Sequence, residues 1–338
     1  MFSKTISDNC ALQIMIVLSV FLTTCAAGIV FAVSVCDRLG NTRNESSACF
    51  DRRIETFPIT PMTNDFELFE AHVTATAAAD LPPPVETNYF RVAFGPYYNS
   101  KIVTGHVIVV SDPLRAVSVV EPGGAGGCRQ KAVQTTPITT KGCAAAINAG
   151  FFDLVDHSCL GNVISDGRIV TDNTHVTNAH FGLTKDNKIF SGYLNDSRQL
   201  PQFQNLIGGV IWLVRNGVPF VDESMKIETY KSSQAKNWWD FTMTSSARNA
   251  IGHDRDGRVM IVHADGRSFK HGLNVYEMAD LMVRFGAVNA VNIDGGGSST
   301  VLVNDAIINR LTDPCQGKPH GFVCPRNVST AICIRRLT

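Results

Sequence analysis

One short segment of this sequence concentrates groups that could do chemistry. Asp294 follows an apolar run that is typical of a buried strand, and three glycines and three hydroxyl side chains come directly after it. Glycines let a ligand approach the backbone closely, and the exposed N–H groups of such a loop can bind an anionic oxygen. The alternative is a tight strand-to-strand loop with incidental hydroxyls. The groups that could contact a substrate here are Gly295, Gly296, Gly297, Ser298 and Ser299.

A second segment places an arginine in an otherwise small and apolar run. Arg248 needs a partner there, and a phosphate or carboxylate suits the planar fork of its guanidinium, although a structural aspartate would serve equally. The run leads through a predicted hairpin to His263 and Asp265. We expect His263 to contact substrate and Asp265 to act in catalysis, whereas Asp265 taken alone would be interpreted as a turn residue.

A third candidate is Asn148, at the end of a predicted strand that is followed by Phe151 and Phe152. Its amide could bond a sugar hydroxyl in a cleft. In the alternative, it bonds a neighbouring turn and the two phenylalanines fill the core. Neither a Gly-x-Ser-x-Gly elbow nor a His-Glu-x-x-His motif occurs. What remains is carboxylates for a sugar centre and cations and amides for a phosphate; we expect no cofactor and leave metal dependence open.

Composition restricts the class of protein. The 338 residues contain 30 Lys plus Arg and 30 Asp plus Glu, so the net charge is zero, and a nucleic-acid partner is not expected. Hydrophobic residues make up 44% of the chain, which is enough to form a substantial core and excludes disorder throughout.

The N-terminus predicts a secretory route. After a short tail, residues 1–10, the segment 11–35 carries no formal charge and can span a bilayer of about 30 Å as a helix. Its length favours a signal-anchor over a cleaved signal peptide, although Cys25-Ala26-Ala27 offers a cleavage site. Both interpretations place the rest of the chain in the lumen. Because this segment is N-terminal, we expect a type II membrane enzyme of the Golgi or secretory pathway.

Cysteines and glycosylation sequons agree with that compartment. Eight of the ten cysteines follow the apolar segment, an even number that fits disulfide pairing, and no Cys-x-x-Cys occurs. Three sequons predict glycans at Asn44, Asn195 and Asn327.

The sequence pattern changes once between the apolar segment and the candidate site. Residues 36–87 lack periodicity and contain a triple proline, which predicts a stem or linker. From residue 88 to residue 338, short β-rich runs alternate with four Asp-Gly or Asn-Gly pairs that are typical of hairpin turns. One amphipathic helix is predicted after Asn274, with Glu277 completing a capping box. The pattern predicts an α+β fold, with a mixed or antiparallel β-rich catalytic domain, few helices and stabilising disulfides.

Several ordered blocks from about Tyr89 to the C-terminus resemble the phosphodiester glycosidase family. The blocks are Glu121-Pro122-Gly123-Gly124, Gly126-Gly127-Cys128, Asn148-Ala149-Gly150-Phe151-Phe152, Cys159-Leu160-Gly161-Asn162-Val163, Ser246-Ala247-Arg248, Ile251-Gly252-His253-Asp254, His263-Ala264-Asp265-Gly266, Val288-Asn289-Ala290-Val291-Asn292 and Asp294-Gly295-Gly296-Gly297-Ser298. The likeness covers about three quarters of the chain. The family pattern has Gly where Ala149 stands here.

The resemblance implies a hydrolase that removes the GlcNAc covering a phosphate on the 6-position of mannose. Its expected partners are the phosphorylated high-mannose glycans of lysosomal hydrolases. Asp294 and Asp265 would be nucleophile, base or acid, with Arg248 as phosphate clamp and Asn148 as sugar contact. Which aspartate plays which role, the stereochemical outcome and the oligomeric state stay open. The resemblance also implies the disulfides Cys128–Cys159, Cys143–Cys333 and Cys315–Cys324.

Two alternatives remain at this point. The domain could cleave another glycosyl phosphodiester, because the loops that choose a substrate carry no decisive motif. It could also be a catalytically silent lumenal domain that binds carbohydrate, although the presence of Asp265, Arg248 and Asp294 together disfavours that interpretation.

Overall fold

A computed structural model describes residues 66–71, 85–95, 100–121, 128, 133–134, 143–229, 237–315, 317–319 and 321–337. The predicted membrane segment, Cys36, Cys49 and the sequon at Asn44 lie outside these residues. No helix within the described ranges is long and apolar enough to cross a membrane.

The described residues form three larger sheets and one two-stranded sheet, and every strand pair in them is antiparallel. The first larger sheet has six strands in the order β1-β10-β9-β11-β7-β8. Its strands are β1 (Phe66–Glu70), β7 (Val163–Ser165), β8 (Arg168–Thr171), β9 (Ala179–Thr184), β10 (Lys188–Tyr193) and β11 (Phe203–Gly208).

The second sheet has seven strands in the order β13-β12-β16-β14-β15-β3-β2. Its strands are β2 (Val85–Phe94), β3 (Lys101–Val110), β12 (Trp212–Arg215), β13 (Val218–Pro219), β14 (Arg248–His253), β15 (Val259–Ala264) and β16 (Asn289–Ile293). The third sheet has the order β18-β17-β6-β20-β4. Its strands are β4 (Val117–Val120), β6 (Cys143–Asn148), β17 (Val301–Val303), β18 (Ala306–Ile307) and β20 (Ala331–Arg335), and the small sheet pairs β5 (Val133–Gln134) with β19 (Asn327–Val328).

Four α-helices complete the described part of the chain: α1 (Pro113–Ala116), α2 (Val221–Ile227), α3 (Trp238–Met243) and α4 (Val275–Arg284). Helix α4 matches its prediction, since Asn274 and Glu277 form the full capping box and Gly286 follows the helix at φ +86°. The β-rich, antiparallel architecture with few helices confirms that part of the predicted fold class.

The seven-stranded sheet separates two hydrophobic clusters because its side chains alternate between faces. Ile251 of β14 packs into a cluster that is shared with the other two large sheets. Its neighbour Ala250 faces the opposite cluster, where Met278 and Leu281 of α4 pack against the sheet. The site residues on β14 and β15 are therefore held by a sheet that is covered on both faces.

Three of the four predicted hairpin turns occur as expected. Asp166-Gly167 joins β7 to β8, Asn216-Gly217 joins β12 to β13, and Gly257 supplies the positive φ between β14 and β15. Asp265-Gly266 does not form such a turn, since neither residue has positive φ, and the Asp265 carboxylate accepts hydrogen bonds from the side chains of Thr104 and His263.

Residues 66–70, within the segment interpreted as a stem, form a paired strand. β1 pairs with β10 along its whole length, and Glu67 forms an ion pair with the buried Arg215. The ring of Phe66 stacks on Phe190 with 5.5 Å between centroids. Strand β2 also begins within that segment, at Val85. Alternation of buried and exposed side chains over so few residues is a weak signal, which explains why β1 was not predicted.

The three disulfides implied by the family resemblance are present: Cys128–Cys159, Cys143–Cys333 and Cys315–Cys324. Their sequence separations differ widely, at 190 residues for Cys143–Cys333 and 9 for Cys315–Cys324.

The difference in loop length predicts unequal effects on stability. In the chain-entropy model, replacing both cysteines of the long-range pair with serine should cost about 5 kcal/mol, and the same change at the short-range pair about 2.5 kcal/mol. Urea unfolding of the two double variants measures the difference. Equal losses would contradict the assignment of these pairs to loops of such different length.

Candidate functional site

The loop that carries Asp294 connects two sheets. β16 of the seven-stranded sheet ends at Ile293, and β17 of the five-stranded sheet begins at Val301. Between them, Gly296–Ser298 form a turn of 3₁₀ helix, in which Gly296 has φ +56°. Main-chain hydrogen bonds fix the loop at both sides, from Asp294 N to Ala149 O at 2.9 Å and from Gly296 N to Ala247 O at 2.8 Å.

Asp294 is a partly exposed carboxylate in a poorly solvated position. Desolvation raises its pKa to about 6, and a hydrogen bond from Ser298, the charge of Arg326 and the N–H of Gly295 oppose that rise. A carboxyl group with a pKa near 6 can exist in both protonation states near neutral pH, which is what acid–base chemistry requires.

The cation beside Asp294 is Arg326, which the sequence did not suggest. It donates Nη2 and Nε to the two oxygens of Asp313, at 2.7 and 3.0 Å, and Nη1 to Ser298 Oγ at 3.3 Å. Burial alone would lower the pKa of Arg326, but the bonds and charge of Asp313 and the charge of Asp294 raise it, so it is a permanent cation. Asp313 and Arg326 flank Cys315 and Cys324. The predicted disulfide was therefore the signal that could have brought the two together.

Gly297 leaves room for this ion pair. A Cβ on Gly297 would lie 2.4 Å from Arg326 Nη2 and 2.9 Å from Asp313 Oδ1, closer than atoms can approach. We expect Gly297→Ala to displace Arg326 and to lower activity by up to about 10²-fold, as a misplacement of about 1 Å does. Gly286→Ala is the matched control, because Gly286 has φ +86° and no neighbour within 4 Å of the added Cβ. If both variants lose stability but only Gly286→Ala keeps its activity, the loss of activity in Gly297→Ala comes from the displacement of Arg326 and not from a general loss of stability.

Arg248 adjoins the Asp294 loop, but its side chain contacts main-chain oxygens. It is only 7% exposed; its Nε donates to Leu273 O, and its Nη2 donates to the carbonyls of Phe241 and Thr244. Burial lowers its pKa to about 10. In this arrangement Arg248 holds the segment between α3 and β14 to the start of α4. That differs from the predicted phosphate clamp, because the side chain is buried, whereas the side chain of Arg326 is partly exposed.

Asp265 is fully engaged as a hydrogen-bond acceptor. Oδ1 accepts from His263 Nε2 at 3.2 Å and from Arg310 N at 3.1 Å, and Oδ2 accepts from Thr104 Oγ1 at 2.8 Å. Burial by itself would raise its pKa, but these bonds and the charge of His263 outweigh burial and lower the pKa to about 2. The two candidate aspartates are thus driven apart in pKa, and Asp294 is the one suited to proton transfer.

Asn148 also has a different position from the predicted sugar contact. It is fully buried, and its Nδ2 donates to Asp294 O at 2.6 Å while its Oδ1 accepts from Thr300 N at 3.1 Å. Asn249 Nδ2 donates to the same carbonyl at 2.6 Å and to Ser299 Oγ at 3.2 Å. The two amides hold both ends of the loop. Ser299 and His263, predicted as substrate contacts, are likewise buried.

The polar residues of the site are brought together by strand direction. β15 and β16 both run antiparallel to β14, which lies between them. Asp265 and Asp294 therefore follow their strands at the same end of the sheet. Two strand spacings separate their backbones, about 10 Å. Gly295, Gly296 and Gly297 remain partly exposed beside Asp294. Among the described side chains, no three of His, Cys, Asp or Glu are grouped as a metal site.

Comparison with known proteins agrees with the resemblance seen in the sequence. Residues 141–335 match the family model described as phosphodiester glycosidase. The chain belongs to the phosphodiester glycosidase family. The family domain contains the loop with Asp294 as well as Asp265 and Arg326.

Relatives of this phosphodiester glycosidase carry a specific enzyme name. The chain is 41% identical over 262 residues to the Mus musculus N-acetylglucosamine-1-phosphodiester alpha-N-acetylglucosaminidase, and 38% identical over 261 residues to the Homo sapiens protein of that name. Each alignment covers 75% of this chain and 50% of the relative, so the chain spans about half the length of these relatives.

Solved structures give the same result for the phosphodiester glycosidase fold. The zebrafish N-acetylglucosamine-1-phosphodiester alpha-N-acetylglucosaminidase catalytic domain, auto-inhibited by its pro-peptide, superposes with a TM-score of 0.72 at 35% identity. That match covers 81% of this chain and 89% of the zebrafish chain. A Synechocystis hypothetical protein matches at 15% identity and a TM-score of 0.50, a likeness of fold alone.

Proposed function

We propose that this protein hydrolyses GlcNAc-α-1-phosphodiesters on the 6-position of mannose, releasing GlcNAc and exposing mannose 6-phosphate. The observation that carries the proposal is the Asp294 carboxylate, with its pKa raised to about 6, beside the fixed cation Arg326 in a glycine-rich loop. The names of its relatives supply the substrate class.

The reaction breaks the bond between C1 of GlcNAc and the phosphate oxygen, while a water oxygen ends on C1. Positive charge develops at C1, and ionised Asp294 can stabilise it by attacking C1 or by taking the proton of the incoming water. Of these two aspartates, Asp265 is committed to three hydrogen bonds, which leaves Asp294 as the candidate for this role. One carboxylate suffices, because a phosphate monoester leaves without strong help from a general acid.

The departing phosphate requires positive charge and N–H donors. Arg326 supplies the charge. Gly295, Gly296 and Gly297 carry no side chains of their own and remain partly exposed, so that a phosphate can approach this loop closely. Ser298 links the two groups, since its hydroxyl contacts both the Asp294 carboxylate and Arg326 Nη1.

The cellular setting belongs to the same proposal. We place the domain in the lumen of the Golgi or secretory pathway, attached to the membrane by residues 11–35, acting on phosphorylated high-mannose glycans of lysosomal hydrolases. Three disulfides support an oxidising compartment. Asn195 and Asn327, in two of the sequons, are exposed and so accessible to a glycan.

The test is hydrolysis of the methyl glycoside of GlcNAc-α-1-phospho-6-mannose by the purified full chain. Release of GlcNAc and mannose 6-phosphate is expected, and NMR of the first GlcNAc anomer formed distinguishes attack by Asp294 (α retained) from attack by water (β formed). Activity on a different glycosyl phosphodiester alone would keep the chemistry and overturn the substrate. A folded protein that is silent on every such substrate would overturn the proposed enzyme.

A further inference from the structure

Three buried histidines in the described residues each contact an asparagine, and the orientation of that asparagine decides whether the ring nitrogen it meets carries a proton. A backbone N–H can only donate, so the asparagine atom that meets it must be the carbonyl oxygen. The other end of the amide is then the NH₂ group. The backbone N–H thus fixes the orientation of the amide, and the amide fixes the protonation of the ring nitrogen that it contacts.

Two of the three histidines are neutral by this argument. Asn289 Oδ1 accepts from Asn216 N, so Asn289 Nδ2 donates to His253 Nε2 at 3.1 Å. Asn162 Oδ1 accepts from Asn173 N, so Asn162 Nδ2 donates to His180 Nε2 at 3.0 Å. A ring nitrogen that accepts a hydrogen bond carries no proton. Burial also lowers the pKa of both rings, that of His180 to about 4.

His263 has the opposite arrangement. Thr300 N donates to Asn148 Oδ1, so the group of Asn249 that meets this oxygen at 3.1 Å is its NH₂. Asn249 Oδ1 then faces His263 Nδ1 at 2.7 Å, and Nδ1 must carry a proton. At the other side of the ring, Nε2 faces the Asp265 carboxylate at 3.2 Å. An ionised carboxylate only accepts, so Nε2 carries a proton too.

We propose that His263 donates from both ring nitrogens, to Asn249 Oδ1 and to Asp265 Oδ1, and that it positions the Asp294 loop through Asn249 and Asn148. Asn249 accepts from His263 and donates to Asp294 O, to which Asn148 also donates, both at 2.6 Å. A hydrogen bond from a charged donor fixes the amide more firmly than one from a neutral donor. His263 is a positioning residue, since it is buried and acts through the amides.

The charges described beside His263 support an ion pair with Asp265. Asp265 compensates the cation directly, and Thr104 and the N–H of Arg310 hold that carboxylate in place. On the other neighbouring strand, His106 lies opposite His263 in the register of β15 and β3. Burial lowers the pKa of His106, the charge of His263 lowers it further and that of Asp265 raises it, so His106 adds no second positive charge.

The charge of His263 can be measured without any assay of activity. In full-length protein labelled with ¹⁵N-histidine, we expect two protonated ring nitrogens for His263 at pH 7 and one each for His180 and His253. Asp265→Asn should remove the compensating charge and convert His263 to a neutral ring. A single protonated nitrogen on His263 in the wild-type protein would overturn the proposal.

The positioning effect rests on the proposed function and is tested by kinetics. We expect His263→Gln to lower kcat by about 10²-fold with KM nearly unchanged, because the Asp294 carbonyl loses its fixed position. His253→Gln is the matched control, a buried neutral histidine outside this network, and it should keep kcat. An active wild-type enzyme whose kcat is the same after His263→Gln would contradict positioning, whereas an inactive wild-type enzyme would contradict the proposed function, and the NMR result is independent of both.

Discussion

Replacing Asp294 with asparagine is expected to lower kcat/KM by about 10²–10⁴-fold, the range of a positioned acid or base. The loss follows from the geometry, because Asp265 already accepts three hydrogen bonds and its pKa is lowered to about 2, so it does not replace Asp294 in proton transfer. Wild-type activity should rise with pH as Asp294 ionises through its pKa of about 6. The pH dependence of kcat/KM measures this rise.

The same substitution should stabilise the protein at neutral pH. The folded pKa of Asp294 lies above the unfolded value of about 3.9, so the folded state binds the proton more tightly. Stability is therefore lost as pH rises from about 4 to about 6, and asparagine removes that loss. We expect Asp294→Asn to have a higher melting temperature than wild type at pH 7 and an equal one at pH 3.5.

Asp280→Asn provides the control, since Asp280 is an exposed carboxylate on α4 and should leave activity unchanged. If Asp294→Asn keeps its activity, the catalytic role of Asp294 is contradicted. If the variant is less stable than wild type at pH 7, the raised pKa of Asp294 is contradicted.

Replacing Arg326 with methionine should lower kcat/KM by about 10²–10³-fold, as removal of one group that stabilises developing negative charge does. It should also shift the pH profile. The charge of Arg326 lowers the pKa of Asp294, so without it the pKa rises and the acidic limb moves to higher pH.

The pair of effects separates Arg326 from a purely structural residue. Arg326→Lys retains the charge but not the two-pronged bond to Asp313, so it should restore the pH profile more than the rate. If Arg326→Met lowers activity with no change in the acidic limb, the arginine does not act on Asp294. Arg248→Met, at the other candidate cation, should act mainly on stability, because that side chain bonds main-chain carbonyls.

Much of the fold was accessible from local sequence patterns. Helix α4 was predicted because its capping box and apolar face lie within a dozen residues, and three hairpin turns because glycine tolerates positive φ. The disulfides followed from family resemblance, not from spacing. Strand β1 was missed because its partner β10 lies more than a hundred residues away and its pattern is short.

The site was predictable in position but less so in the roles of its residues. Asp294 and its glycines occupy the loop that the strand pattern indicated. Sequence could not show that Asn148 and Arg248 are bonded to the main chain, or that Arg326 approaches Asp294 from outside the motif. These contacts join segments that are far apart in the chain. Residue type alone does not determine which arginine is buried with a structural role.

The connection between β16 and β17 limits how this site could be reused. Its seven residues from Asp294 to Thr300 pass from one sheet to another, while their cation comes from a third segment that is closed by a disulfide. A graft of this loop onto a single sheet would transfer the sequence motif but not the second sheet or Arg326. To transfer the chemistry to another protein, one would have to transfer the loop together with both sheets and the segment that carries Arg326.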